Sequence, residues 1–236
     1  MRKSLLLFLG IALVMLIFGG LMFTRFKRGT PDSTASPGDR IKLPEPVYES
    51  DFPVEQALLQ RQSVRDYTDR PLTLAEVSQL LWAAQGITRS GGKRTAPSAG
   101  ALYPLEVYLV VGEVDGLASG VYKYLPGDHE LVRVGEGDRR ADLSTAALSQ
   151  ESIEEAPAAI VITAIYERTT IKYGERGIRY VHMEVGSAAQ NIYLQAVSLD
   201  LGTVFIGAFH DQDVKRVLNL PDDEEPLCIM PVGRIK

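Results

Sequence analysis

The sequence predicts an α+β domain behind an N-terminal membrane-spanning helix, on three observations. Segments of helical and strand periodicity follow one another without the regular βαβ alternation of a parallel α/β fold. No glycine-rich dinucleotide fingerprint follows a strand. Ahead of everything else, 21 uncharged and mostly apolar residues separate Lys3 from Arg25. As a helix they would span about 31 Å, enough to cross a bilayer core.

That first run is apolar on all sides, which argues against a core helix. A cleaved signal peptide is the rival reading. The run is long for a signal-peptide core, and no small-x-small cleavage site follows Met22-Phe23-Thr24-Arg25. Residues 1–28 are therefore expected to form an uncleaved single-pass anchor, followed by a flexible linker over 29–42 and a folded domain over 43–236. Arg25, Lys27 and Arg28 outweigh Arg2 and Lys3, so the positive-inside rule places the domain in the cytoplasm. The lone Cys228 rules out an internal disulfide framework and reads as a core residue.

Within the domain the elements follow in order. Leu43 to Val47, with two prolines, is extended. Pro53 to Arg61 is a short helix with Val54, Ala57 and Leu58 on one face. Thr73-Leu-Ala-Glu76 is a capping box, opening a helix whose Leu74, Val77, Leu80, Leu81 and Ala84 repeat at helical spacing until Gly86. A long loop runs from Gly86 to Gly100. Glu106–Gly112 is a strand, and Val121–Leu125 and Glu130–Val134 form a hairpin around Pro126-Gly-Asp-His129. Arg139–Leu148 is a helix, Ala158–Ile165 a buried strand, and Lys172-Tyr173 lies in a polar loop. Arg179–Leu199 is the longest helix, with Val181, Val185, Ala188, Ala189, Ile192 and Ala196 as its buried stripe. Thr203–Phe209 is a strand, Asp211 caps a helix through Leu218, and Leu227–Val232 is the last strand.

Charge excludes one class of partner. All five charged residues of 1–28 are basic, so residues 29–236 carry a net charge of −10. Such a domain repels a nucleic acid backbone except at local basic pockets. The three histidines (His129, His182 and His210) lack metal-ligand spacing, and no metal site is assigned.

Two stretches point to chemistry. Arg61, Ser63 and Arg65 alternate, so in an extended segment all three project from one side. Two guanidinium forks and a hydroxyl there suit a phosphate. Pro97-Ser98-Ala99-Gly100-Ala101 offers small side chains and free backbone N–H groups to a flat ring. Alone, the first is an ordinary solvated charged stretch and the second a common kind of loop; the signal is their joint presence.

These stretches, through Tyr103-Pro104, resemble the nitroreductase superfamily, in particular its SagB/ThcOx-type dehydrogenase branch, which oxidises azolines to azoles in peptide natural products. The resemblance runs from about Gln60 to Arg234. It continues in Lys172-Tyr173, Glu184-x-Gly186-x-x-x-Gln190-Asn191, Ile206-Gly207-Ala208-Phe209 and Pro231-x-Gly233-Arg234. It implies a nitroreductase-like mixed sheet flanked by helices, an FMN cofactor, and a homodimer with each flavin at the subunit interface. Arg61, Ser63, Arg65 and Arg234 would then hold the phosphate, with Pro97, Ser98, Ala99, Gly100 and Glu184 also at the cofactor. The main chain at Gly207 and Ala208 would approach the edge of the ring. Lys172 and Tyr173 resemble the catalytic pair of the azoline dehydrogenases. From the residues alone, Glu184 is as readily a salt-bridge partner of Arg176 or Arg179. The branch usually carries Gly-His where this chain has Gly186-Ser187, which weakens the azoline reading.

Three functions follow. One is an FMN-dependent dehydrogenase acting on a peptide heterocycle or a small molecule. A second is an NAD(P)H-dependent reductase of nitro compounds or quinones at the membrane. The third, of another class, is a tethered flavin-binding or scaffold protein without turnover; the presence of both Arg61 and Arg65 speaks against it.

Overall fold

The computed structural model describes residues 38–236. The expected membrane anchor and the linker as far as residue 37 lie outside the described residues. Among those described, no helix is long and apolar enough to cross a membrane. The stretch read as linker ends early, because Arg40–Lys42 is already a strand, β1. Leu43–Val47 joins no ladder. Instead the Gln79 side chain pins it, accepting from the Val47 N–H at 2.8 Å and donating to the Val47 carbonyl at 3.0 Å.

Seven strands make one sheet. In spatial order they are β1, β8 (Glu130–Glu136), β7 (Gly120–Leu125), β5 (Leu105–Val111), β9 (Ala158–Ala164), β11 (Glu225–Gly233) and β10 (Gly202–Thr203). Every neighbouring pair is antiparallel, so this sheet is not the mixed one expected. Among the described residues, parallel pairing is confined to β2 (Leu72–Thr73) with β6 (Val114–Asp115), and to a bridge between Ser63 and Thr203.

Alternation along the central strands splits the core between two faces. Leu105, Val107, Leu109, Ile160, Ile162 and Met230 lie under helices α2 (Leu74–Gln85) and α6 (Arg176–Ser198). Tyr108, Val110, Val161 and Ile229 lie under α3 (Arg140–Ala146), α4 (Glu151–Glu155) and α7 (Asp211–Leu218). Each fully buried Leu or Ile contributes roughly 1.5–3 kcal/mol, so this packing rather than helix propensity holds the layers together. Cys228 sits inside the core, where burial pushes its thiol up to about 12.

The capping box forms as expected: the Glu76 N–H donates to Thr73 Oγ1 at 3.2 Å and the Thr73 N–H to Glu76 Oε2 at 2.8 Å. Helix α1 (Val54–Gln60) buries only Ala57; Val54 and Leu58 are each 56% exposed, so the expected inward face is a single residue. The loop after Gly86 holds a small hairpin, β3 (Ile87–Arg89) with β4 (Lys93–Arg94). Lys172-Tyr173 is not in a loop: it ends helix α5 (Glu167–Tyr173). The chain then turns at Gly174 (φ 57°, ψ −148°) directly into α6, a conformation essentially reserved for glycine.

The expected strand Thr203–Phe209 reduces to β10 and one bridge, Ile206 to Ile229. The reason is a tertiary hydrogen bond. The Phe205 N–H donates to the Tyr193 hydroxyl at 2.7 Å, away from any ladder. Asp211 does not cap α7: His210 occupies that position without a side-chain cap, and Asp211 lies in the first turn, where its charge still complements the helix dipole.

Candidate functional site

The phosphate-binding candidates lie at the β10 edge of the sheet. The Val64 N–H donates to the Thr203 carbonyl at 2.9 Å, and Ser63 bridges the same residue. Val64 is buried, Gln62, Ser63 and Arg65 are exposed and Arg61 is half-buried, so of the two residues between the three candidates only Val64 turns inward. Tyr193 of α6 organises the group. The Arg61 guanidinium stacks 5.1 Å from its ring centroid, and its hydroxyl shares a 3.2 Å hydrogen bond with Ser63 Oγ. A cavity of about 420 Å³, lined by Arg61, Tyr193, Gly202 and Thr203 among others, opens beside it. Arg61, Tyr193 and Thr203 bring to this cavity guanidinium and hydroxyl donors of the kind a phosphate takes; Ser63 and Arg65 are not among its lining residues, whereas Asp200 is.

Arg234 comes to this edge by its backbone, its carbonyl accepting from the Thr68 N–H at 2.9 Å. Its side chain instead pairs with Glu76, Nη2 to Oε1, at 2.7 Å. Among the described residues, Arg234 Nε has no hydrogen-bond partner. The family resemblance implies a phosphate clamp for this side chain; in the structure it lies at the N-terminus of α2, paired with Glu76.

The small-residue loop is held elsewhere, by the first half of α6. Ala99–Ala101 is a single 3-10 turn in which Gly100 has φ 65°, followed by left-handed Ala101 (φ 54°) and Tyr103 (φ 47°). Side chains impose this backbone. The Tyr103 N–H donates to Ser98 Oγ at 2.9 Å, and Arg168 Nη1 donates to the Tyr103 carbonyl at 3.1 Å. The Arg94 guanidinium lies 4.6 Å from the Tyr103 ring centroid. Arg168 is itself fixed by Glu106 at 2.6 Å, which also pairs with Lys123 at 3.2 Å. Lys123 reaches fully buried Glu224 at 3.3 Å.

Lys172 and Tyr173 meet this loop. A Cβ placed on Gly100 would fall 2.8 Å from Tyr173 Oη and 3.1 Å from Lys172 Nζ. The Lys172 ammonium is 5.3 Å from the Tyr173 ring centroid, and Tyr173 packs edge-on against Tyr180 at 5.1 Å. The Gly100 backbone is exposed beside half-exposed Ser98 and Ala99, with the polar ends of Lys172 and Tyr173 directly over it.

Glu184 is 3% exposed. It does not pair with Arg176 or Arg179 as its helical neighbours suggested; the Ser98 hydroxyl and the Arg94 cation are the groups beside it that favour its ionised form. Burial nonetheless wins and raises its carboxyl to about 7. Asn191, seven residues along, lines a separate groove with Tyr48, Trp82 and Leu194. Ser187, at the position where the branch carries histidine, spends its hydroxyl on the Met183 carbonyl at 3.1 Å. Gly207 and Ala208 are exposed, the Ala208 carbonyl accepting from Gln150 at 3.2 Å.

The two groups of candidates are thus anchored to α6 at Glu184 and at Tyr193, nine residues and about 13.5 Å apart along the axis. Tyr193, Arg94, Arg168 and Tyr103 escaped the sequence reading as site residues. Tyr193 had one available signal, its place on the helix that also carries Glu184 and Asn191.

The nitroreductase family model matches residues 58–234. MJ1384, a nitroreductase-family protein of Methanocaldococcus jannaschii, is 50% identical over 197 residues, covering 84% of this chain and 98% of that protein. A nitroreductase structure from Ralstonia eutropha JMP134 superposes with a TM-score of 0.74 at 31% identity, covering 85% of this chain and 93% of the other. The microcin B17-processing protein McbC of Escherichia coli is 31% identical over 155 residues, 63% of this chain and 57% of McbC. Its McbBCD synthetase complex, solved with truncated pro-MccB17 bound, matches with a TM-score of 0.65 over 80% of this chain and 76% of that one, at 25% identity. With the family model covering both groups of site residues and the antiparallel sheet between them, the chain belongs to the nitroreductase family.

Proposed function

We propose that this nitroreductase-family oxidoreductase uses FMN and acts as a SagB/ThcOx-like dehydrogenase on a heterocycle in a peptide or small molecule. The observation that carries this reading is the seating of Lys172 and Tyr173 against Gly100. FMN, when bound, supplies a two-electron hydride acceptor. Arg61, Ser63 and Arg65 hold its phosphate, and Ser98–Gly100 offers backbone for the ring to lie against. The substrate proton goes to Lys172 as the free amine or to Tyr173 as the phenolate, with Tyr173 oriented by Tyr180. The kinship with McbC supports a peptide-borne substrate.

A second reading, an NAD(P)H-dependent reductase of nitro compounds or quinones, is favoured by Ser187. Its hydroxyl is committed to the Met183 carbonyl and cannot replace an imidazole. We take the working form to be a homodimer, single-pass and membrane-anchored, with its catalytic domain in the cytoplasm. The exposed apolar side chains of Val54, Leu58 and Leu59 on α1 support a partner surface.

The test is to purify the full chain without added flavin, record its visible spectrum, and identify any chromophore released. Bound FMN, bleached by substrate or by NAD(P)H, supports the reading and distinguishes its two forms. Arg61→Ala should lose the flavin while its circular dichroism and melting stay those of the flavin-free parent. A colourless protein that also refuses added FMN overturns the enzyme reading in favour of a scaffold.

A further inference from the structure

We propose that Glu184 is a positioning residue: acting through the Ser98 hydroxyl, it sets how firmly Tyr103 is held, and with it the left-handed turn Gly100–Tyr103 against which Lys172 and Tyr173 lie. The turn needs an external hold. Two of its non-glycine residues, Ala101 and Tyr103, have positive φ, a conformation that crowds Cβ against the backbone. The Ser98 hydroxyl is the hinge of that hold. Its oxygen accepts from the Tyr103 N–H, so its hydrogen is free to donate, and Glu184 is its partner.

The Glu184 carboxyl has two distinct ways to answer. Ionised, it can only accept, so it takes the Ser98 hydrogen in a charge-assisted bond and orders the hinge. Protonated, it can itself donate to Ser98 Oγ, which frees the serine hydrogen and weakens the hold. Among the described residues, its Oε1 has no hydrogen-bond partner, so no second donor fixes one state. The groups facing it are Ser98 from the loop and Arg94 from β4; both favour the ionised form, and burial opposes them. The balance lies at about 7, so both states are reached under ordinary conditions. Arg168 holds the other side of Tyr103 through the carbonyl and does not contact Ser98, so only the Ser98 side answers to the proton.

The role of this hinge in the enzyme rests on the flavin reading, but its core does not. The test follows the Tyr103 amide by nitrogen–proton NMR in the full chain without flavin, from about pH 5.5 to about pH 8.5. The amide should titrate with a midpoint near the Glu184 value in the parent, and stay flat in Glu184→Gln and in Ser98→Ala. FMN affinity, read by quenching of its fluorescence, should tighten roughly fivefold over the same range in the parent and not in Glu184→Gln. A Tyr103 amide that is silent in the parent, or that titrates equally in both variants, overturns the proposal. An amide that titrates as expected in a chain that never binds FMN supports the hinge and overturns the flavin reading.

Discussion

Replacing Glu184 by Gln should stabilise the protein at neutral and alkaline pH relative to acid pH, by an amount set by how far burial raises the carboxyl. Burial raises this carboxyl from its ordinary 4.5 to about 7. Between those values the folded chain keeps a proton that the unfolded chain has released. Stability from this group therefore falls as pH rises through the interval, and above it the fold bears the whole cost of a buried carboxylate. Two and a half units correspond to about 3 kcal/mol. Glutamine does not titrate, so the gap in unfolding free energy between variant and parent should swing by about that amount in favour of the variant between about pH 4 and about pH 8. Urea unfolding of both proteins across this range measures it, provided the m values agree. In a domain of this size the swing is roughly 6–12 °C in melting temperature. A constant gap, or one that moves towards the parent as pH rises, would mean that Arg94 and Ser98 outweigh burial and would refute the reasoning.

Two further substitutions probe the geometry. Gly100→Ala places a methyl 2.8 Å from Tyr173 Oη at a φ of 65°; it should cost about 1–2 kcal/mol in thermal unfolding and depress turnover at least tenfold by displacing Lys172 and Tyr173, and an unchanged rate would detach that pair from the loop. Tyr193→Phe removes the acceptor of the Phe205 N–H and the partner of Ser63; it should lower stability by about 1 kcal/mol and weaken FMN binding, both checked by melting with and without FMN.

Much of this was legible because it is local or periodic. Thr73 and Glu76 announce α2 with a capping box, and Val181, Val185, Ala188 and Ile192 announce α6 by spacing alone. Helix α5 was not legible. Glu167-Arg-Thr-Thr-Ile-Lys-Tyr173 carries three β-branched residues in a row and buries only Thr169, so it presents neither propensity nor an apolar stripe. The strand expected at Thr203–Phe209 failed through Tyr193, a contact that no local pattern contains. The site divides in the same way. Arg61, Ser63 and Arg65 show as a motif, whereas Arg94, Arg168 and Tyr193 act through partners distant in sequence and become visible only in the fold. Arg234, given to the phosphate by the resemblance, shows its partner Glu76 only in the fold, 158 positions away in sequence.

The phosphate edge is completed by residues made long after it. Tyr67 is buried with its hydroxyl donating to the Val64 and Pro231 carbonyls, the second 164 positions further along the chain. Tyr67 also bridges Ile235, and the Thr68 N–H finds the Arg234 carbonyl. During synthesis, Arg61, Ser63 and Arg65 therefore leave the ribosome without the segment that backs them. The proposed anion site would come into being only as β11 docks, so a chain broken before that point should fail to retain phosphate ligands even where its central strands have paired. On the flavin reading, cofactor capture would work as a late checkpoint on assembly, reporting that the closing strand has found its place.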